Sequence, residues 1–391
     1  MSDNGSDSAL PYGDLHTDIL IVGAGPVGMT LLHALSESGK RVLIVDRKPR
    51  GAWVSDPRTL ALSHGSRQVL ERLHAWDNSA ATPIREIHVS QAGGFGRTHI
   101  NASDYELPAL GYVMRYSDLA ASLDVGIAQN TLIDHCEVAD LAIEGDEIHA
   151  NIDRHGRRLR IVARLVVHAE GSGTQSPDVK VRDYGQRALI TDVTTEPTHG
   201  HRAWERFTPD GPLALLPNGR NYAVVLTAPQ AKAEELAMLN DEAFLDLLRE
   251  RFGARMRFVS TGPRASYPLA LRVRTPLVRP RQVWIGNAAQ TLHPVTGQGF
   301  NLGLRDAWEL AEELHRRTDS GAPETLAAYA ARRRVDRYGG AGFTDGIVRL
   351  FSNDISPLRY ARGIGLLALD LAPPLRHFVA RRMIWGARAW I

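Results

Sequence analysis

The chain has 391 residues, a formal net charge of +2, 43% hydrophobic residues and a single cysteine. That length implies two or three domains or one large interleaved unit, and the composition is that of an ordinary soluble globular protein. The near-neutral charge argues neither for nor against nucleic acid, although no nucleic-acid partner is expected; the lone Cys136 excludes an intrachain disulfide and the CxxxxC pair of a flavin disulfide reductase, and no apolar run is long enough to span a bilayer.

Residues 1–16 are polar and lack a basic region followed by an apolar one, so they are expected to be a disordered tail and not a signal peptide. A cytosolic location follows by default. Asp18–Val22 reads as a strand, Gly23-Ala24-Gly25-Pro26-Val27-Gly28 as a glycine-rich turn, and the MTLLHALSESGK stretch after it as a helix. A second apolar run, Arg41–Val45, ends on Asp46. Strand, glycines, helix, strand and acid in this order form the full context of a dinucleotide fingerprint. Gly23 makes the tight turn, Gly25 lets the backbone approach a pyrophosphate, Gly28 lets helix and strand pack, and Asp46 can accept hydrogen bonds from a ribose.

Downstream, Ser63 to Trp76 is an amphipathic helix with Val69, Leu70 and Leu73 inward, preceded by a loop carrying Arg58. The functional reading of Arg58 is a phosphate contact, and the bland one is a solvated surface arginine. Ile84–Ser90 alternates as a half-buried strand, the QAGGFG run is a hairpin or loop, and Ser117 is placed to cap a helix following Gly111–Arg115. Ala139 to Val167 reads as a meander ending in a strongly apolar strand, with Glu170-Gly171 at its tip as another place to hold a nucleotide. From Tyr184 to Tyr267 the pattern becomes alternating strands with one helix, which predicts an antiparallel sheet inserted into the nucleotide-binding unit. Its apolar residues, Leu213 and Leu215 among them, either wall a pocket or form core.

Val283-Trp284-Ile285 is a short buried strand that delivers the chain to Gly286 and then to the turn Pro294–Gly299. From Phe300 onward Leu302, Leu304, Ala307, Trp308 and Leu310 fall at helical spacing, with Arg305, Asp306 and Glu309 between them. A glycine-rich turn opening a helix presents free N–H groups to negative charge, and Gly297 and Gly299 carry no side chain to hold a ligand away. The remaining chain reads as helical. Glu324–Tyr338 is arginine-rich along one face, for which a solvated face is the usual reason. The apolar and basic tail, with Trp385 and Trp390, either docks on the body or lies on a membrane surface or a partner.

Taken together, GAGPVG with Asp46, DPRTLALS, ERFTPDGPLALLP, and SYPLAL followed by GNAAQTLHPVTGQGFNLGLRD resemble the single-component FAD aromatic-ring hydroxylases. The resemblance is strongest to the ubiquinone-biosynthesis hydroxylase family, in its 2-polyprenyl-6-methoxyphenol hydroxylase branch, and runs from Asp18 to the C-terminus. It implies an α/β fold: a Rossmann-like FAD-binding domain, an inserted antiparallel substrate domain and C-terminal helices. The expected division is 17–183 and 268–322 for the FAD-binding parts, with a strand contribution from 84–110 to the substrate domain at 184–267, and 323–391 for the helices.

The same resemblance assigns the pyrophosphate to Gly23–Gly28 and the adenosine ribose to Asp46. Arg47, Arg58, Arg115, Val138, Glu170 and Gly171 are expected to meet the cofactor. The flavin side is expected at Gly286, Asn287, Pro294, Gly297, Gln298, Gly299, Phe300 and Asn301. Pro294 should border the ring where substrate meets flavin, with His293 as a conceivable proton relay or, alternatively, a packed histidine. Phe207, Leu213, Leu215 and Tyr267 are the candidate substrate wall. Two positions depart from the broader monooxygenase pattern: Glu170-Gly171 stands for Asp-Gly, and Gly286-Asn287 with Gln290 stands for Gly-Asp with a following histidine.

The implied chemistry is reduction of FAD by NAD(P)H, addition of O2 to give a C4a-hydroperoxyflavin, and oxygen transfer to the ring of a lipophilic phenol. No metal is implied, and no general base stands out. The implied partners are the phenol, a quinone-biosynthesis complex and the inner-membrane surface through the tail, with the oligomeric state left open. Rival readings are hydroxylation of another small phenol, a prenyl-lipid reductase, a halogenase (whose WxWxIP signature is missing) and a non-catalytic flavin subunit.

Overall fold

The computed structural model describes residues 14–171, 176–351 and 356–386, so most of the expected tail, Ser172-Gly173 and Trp390 lie outside the described residues. The fold is mixed α/β. A six-stranded sheet has Ile19–Val22 near its centre, paired in parallel with Val42–Val45 and Leu165–His168. Leu132–Ile133 and Gln282–Trp284 extend it in parallel, and Val278–Arg279 closes one edge antiparallel. Parallel strands need cover on both faces. Side-chain alternation supplies it here: Ile19, Ile21, Ile44 and Val167 pack against the helices Pro26–Ala34, Tyr116–Asp124 and Gln298–His315. Leu20, Val45 and Val166 pack on Ile148, Ile152 and Ile161 of the meander. Leu15–His16, expected in the tail, instead pair in parallel with Ile161 and Val162.

The second large unit is a nine-stranded sheet. It takes Glu86–Gln91 and Arg97–Asn101 from early in the chain, then Val179–Glu196, Arg202–Thr208, Gly211–Asn218, Asn221–Pro229, Arg257–Thr261 and Ala265–Arg274. Gln290–Thr291 joins its edge, and the expected antiparallel pairing holds except where Glu86–Gln91 lies parallel to Arg202–Thr208. The turn between Trp284 and Gln290 therefore ties the parallel sheet directly to the antiparallel one. One face of the antiparallel sheet is sealed by the helix Asp241–Phe252, where Leu189, Leu213, Leu215 and Leu226 meet Phe244 and Leu248.

Two local expectations are corrected. The helix near 117 starts at Tyr116 with Arg115 as its N-cap, so Ser117 lies inside it and caps nothing. Asp306 and Glu309 are buried, because the helix Gln298–His315 is covered on its polar side by the helix Pro323–Phe351. The arginine-rich stretch accordingly is not a solvated face: Arg333 is 0% exposed and Arg337 5%. Arg333 pairs with Asp306 at 2.7 Å, Glu309 at 3.1 Å and Asp336 at 2.9 Å. Buried guanidinium groups survive only with such partners. The C-terminal helix Pro373–Trp385 docks on the body, with Ala380 and Ile384 packed beside Ala102, Leu110 and Trp385.

Candidate functional site

The glycine turn divides into parts with different duties. Gly23 has φ +109°, and a Cβ there would lie 2.6 Å from the Ala169 carbonyl carbon. A Cβ on Gly28 would lie 2.0 Å from the Gly23 carbonyl oxygen, so both glycines serve close packing. Gly25 has ordinary extended backbone, and a Cβ on it would meet only the Tyr116 hydroxyl at 3.4 Å. What Gly25 keeps open is the cavity in front of the helix. Asp46 braces that turn: one carboxylate oxygen accepts from the Ala24 N–H at 2.7 Å and the other from the Lys48 N–H at 2.8 Å.

The cavity has a volume of about 1010 Å3, at the upper end for ligand pockets and fit for an extended dinucleotide. Gly23, Ala24, Gly25, Pro26 and Val27 line one end, with Asp46, Arg47, Val138, Glu170 and Gly171 around them. Arg58 borders the middle, stacked 4.4 Å over the Tyr116 ring. Burial works against its charge, but a bidentate pair with Asp56 holds its pKa above the ordinary value. Gly286, Asn287, Pro294, Gly297, Gly299 and Phe300 line the other end. The donor set is backbone N–H at a helix start and a carboxylate at a strand tip, which suits a pyrophosphate and a ribose.

The second helix start faces the same cavity. Gly297 is its N-cap at φ +60°, and no side chain caps the first turn. Asn301 does not line the cavity. It is 1% exposed, donates to the Ala61 and Gly297 carbonyls at 2.9 and 2.8 Å, and accepts from the Ser63 N–H and Ser66 hydroxyl. Asn301 thus clamps the turn to the strand Thr59–Ser63. Gln298 also points away, donating to the Met383 carbonyl at 3.1 Å. Arg115 is exposed and reaches Asp192 at 3.4 Å, outside the cavity lining.

Comparison with known proteins gives a family and a fold. Residues 16–336 match the family model described as FAD binding domain. Ubiquinone hydroxylase UbiL of Rhodospirillum rubrum is 34% identical over 387 residues, spanning 94% of this chain and 89% of that protein. The chain belongs to the ubiquinone hydroxylase family of FAD-dependent monooxygenases. The 3-demethoxyubiquinol 3-hydroxylase of Escherichia coli is 28% identical, spanning 92% of this chain and 96% of its own length. Among solved structures, p-nitrophenol 4-monooxygenase PnpA from Pseudomonas putida matches with a TM-score of 0.75 at 16% identity, over 96% of this chain and 100% of that one. PqsL of P. aeruginosa, in complex with 2-aminobenzoylacetate, matches with a TM-score of 0.73 at 21% identity, over 90% and 100%. At these identities the structural likeness is one of fold.

In this chain the departure at Gln290 has a structural account. Its amide donates to Asp306 at 2.6 Å and its carbonyl accepts from Arg337 at 2.6 Å. Asp306 also accepts from the Gly286 N–H at 2.9 Å, and Arg337 donates to the carbonyls of Arg274 and Ala289. A buried amide between a carboxylate and a guanidinium can point only one way. Gln290 is therefore a strut behind the Gly286 turn, while Asn287 is the residue that lines the cavity.

His293 is 0% exposed and lies behind the lining, its Nδ1 accepting from the Val295 N–H at 3.1 Å. Burial pulls its pKa down to about 4, so it is neutral at ordinary pH. That is the packed histidine and not a relay reaching the cavity. Pro294 does border it. Of the candidate wall, Leu213 and Leu215 face the helix Asp241–Phe252 and belong to core, a consequence of strand parity. Phe207 is on the opposite face, stacked 3.8 Å on Phe351 in a cluster with Val89 and Val295. Tyr267 shares that face beside Ala188 and interacts electrostatically with Arg58.

Sequence reasoning missed Lys48, Pro49, Gly51, Trp53, Tyr116 and Cys136, all of which line the cavity. The RKPRG run after Asp46 was the available signal for the first three. The Cys136 thiol, pushed up to about 11 by burial, is no nucleophile.

Proposed function

We propose that this chain hydroxylates the aromatic ring of a polyprenylated phenol, of the 2-polyprenyl-6-methoxyphenol type, in ubiquinone biosynthesis, with FAD as cofactor and NAD(P)H and O2 as co-substrates. The observation that carries the reading is one cavity bounded at both ends by a glycine-opened helix start, in a chain of the ubiquinone hydroxylase family. When bound, FAD supplies the redox and oxygen-transfer chemistry.

The residues supply placement and field. The Gly23–Gly28 turn receives the pyrophosphate, and Asp46 the adenosine ribose. The first-turn N–H groups after Gly297 favour negative charge on the flavin ring, an effect worth up to about 2 kcal/mol when partly buried. Pro294 and Phe300, which line the cavity, would border the flavin ring, and the nine-stranded sheet would help to keep water from the reacting atoms. In domain terms we assign 17–183 and 268–322 to cofactor binding, 184–267 with the strands of 84–110 to substrate binding, and 323–391 to the helical cover. The test is purified protein with NAD(P)H, O2 and the prenylated phenol, the product being identified by mass spectrometry. A ring one oxygen heavier is expected. Flavin-bound protein that oxidises NAD(P)H without oxygenating any phenol would defeat the reading.

No helix of the described residues is long and apolar enough to cross a membrane. Peripheral attachment is the reading we favour for the helix Ser356–Leu371. Tyr360, Ile364, Leu367 and Leu371 lie along one stripe of it, exposed by 59, 60, 41 and 72%. Exposed Leu375, Phe378, Arg381 and Arg382 extend that surface on the next helix. Apolar residues rimmed by arginines suit an anionic bilayer that also stores the lipid substrate. Ile364→Glu with Leu371→Glu should abolish cosedimentation with anionic phospholipid vesicles while leaving flavin content intact. Unchanged sedimentation would assign the stripe to another protein of quinone assembly.

A further inference from the structure

The inner face of the antiparallel sheet carries a straight cross-strand row. Val89 is opposite Glu205, Glu205 opposite Ala214, Ala214 opposite Val225, Val225 opposite Ile190, and Ile190 opposite Ala265. All six members are partly exposed, although the row crosses the middle of the sheet. On the same face Phe207, Pro212, Thr227 and Ala188 are buried, and so are Leu213, Leu226 and Leu189 on the other. Open space therefore follows this row. At one end Val89 packs in the same cluster as Val295 of the flavin-side turn. Towards the other, Tyr267, two residues from Ala265, interacts with Arg58 of the cofactor cavity. The two ends of the row thus lead towards Pro294, next to Val295, and towards Arg58, both of which line that cavity.

Five of its residues are alkyl and one is a carboxyl. Oε1 of Glu205 is buried and has no hydrogen-bond partner among the described residues. A carboxyl so placed costs stability unless something binds it. We propose that Glu205 is the substrate's polar anchor: it hydrogen-bonds the ring hydroxyl of a phenol laid over Ala214, Val225 and Ile190, and takes the hydroxyl proton as the ring is oxygenated. In that step the phenolic O–H bond breaks, a carboxylic O–H bond forms on Glu205, and the electron pair left on oxygen enriches the ring.

Desolvation alone pushes the carboxyl up to about 8, close to the working range of a general base. No charged neighbour contributes to that shift. On the elements packed towards it lie Arg362, over the Phe351 ring that stacks on Phe207, Asp192, two residues from Ile190 on the same face, Arg58 beyond Tyr267, and neutral His293 behind Val295.

The proposal rests on the hydroxylase reading for its proton step but not for its binding step, and the test separates them. Flavin-loaded wild type, Glu205→Leu and Glu205→Gln are titrated with 2-prenyl-6-methoxyphenol and with its methyl ether, binding being read from the flavin absorbance. Wild type should prefer the phenol by roughly tenfold to a hundredfold, and Glu205→Leu should show no preference. Glu205→Gln should keep binding within a few-fold, lose roughly a hundredfold in kcat, and lose the rise of kcat with pH towards 8. Equal binding of phenol and ether by wild type, unimpaired turnover by Glu205→Leu, or loss of flavin from both variants would overturn it. Discrimination without turnover by wild type would uphold the anchor and sink the hydroxylase reading instead.

Discussion

The two large sheets of the molecule present different chemistry. Towards the cofactor the parallel sheet offers backbone: Gly23 to Gly25 at one helix start and Gly297 to Phe300 at the other, with Asp46 as a strut. The nine-stranded sheet offers side chains, a row of small apolar groups broken by Glu205. Backbone N–H groups bind whatever carries phosphate or delocalised negative charge, whereas side chains in register choose a substrate. The first surface is made by local sequence, and the second exists only once six strands have aligned.

The sharpest way to break this contrast is at Gly25. Gly25→Val should fold, because the backbone there is extended and the new Cβ meets only the Tyr116 hydroxyl, yet it should purify without flavin colour. Normal flavin stoichiometry would show that the cradle has been misplaced. Arg333→Met leaves Asp306, Glu309 and Asp336 without their shared cation. It should cost about 3–5 kcal/mol in denaturant unfolding, and a loss below 1 kcal/mol would mean the cluster is dispensable.

Acid offers the next probe. His293 has a folded pKa of about 4 against 6.5, so between those values the unfolded chain gains a proton that the folded one refuses. Stability should fall by about 3 kcal/mol as pH drops through that window, then level off with respect to this group. His293→Asn should flatten the slope relative to wild type, a residual coming from His88, which titrates in the same direction. An unaltered slope would place His293 in contact with solvent. The smallest effect is expected at Gln290→Ala, about 1–3 kcal/mol from the groups it leaves unpaired. Part of that should appear as weaker flavin retention, because the strut holds the Gly286 N–H through Asp306.

Much of the cofactor end was legible because its determinants are contiguous. GAGPVG followed by a helix and Asp46, and GNAAQTLHPVTGQG followed by LGLRD, need only neighbours in sequence to make a turn and a helix start. The substrate wall was half legible. ERFTPDGPLALLP reads as strand-turn-strand, but the face each residue occupies depends on pairing parity, and that put Leu213 and Leu215 in the core. Arg333 and Arg337 were misread for a similar reason. Arginine spacing along a helix says which residues share a face, not whether another helix bearing carboxylates covers it.

The sequence by itself therefore determined the cofactor class and the two turns that receive it, since backbone geometry around glycine is a local property. Tertiary structure alone decided the burial of the Asp306–Arg333 pair, the retirement of His293 behind the lining, and the placing of an unpaired Glu205 carboxyl oxygen within the sheet. Those depend on strand register and on which helix covers each residue, and the free energy of desolvation is set by what packs on top.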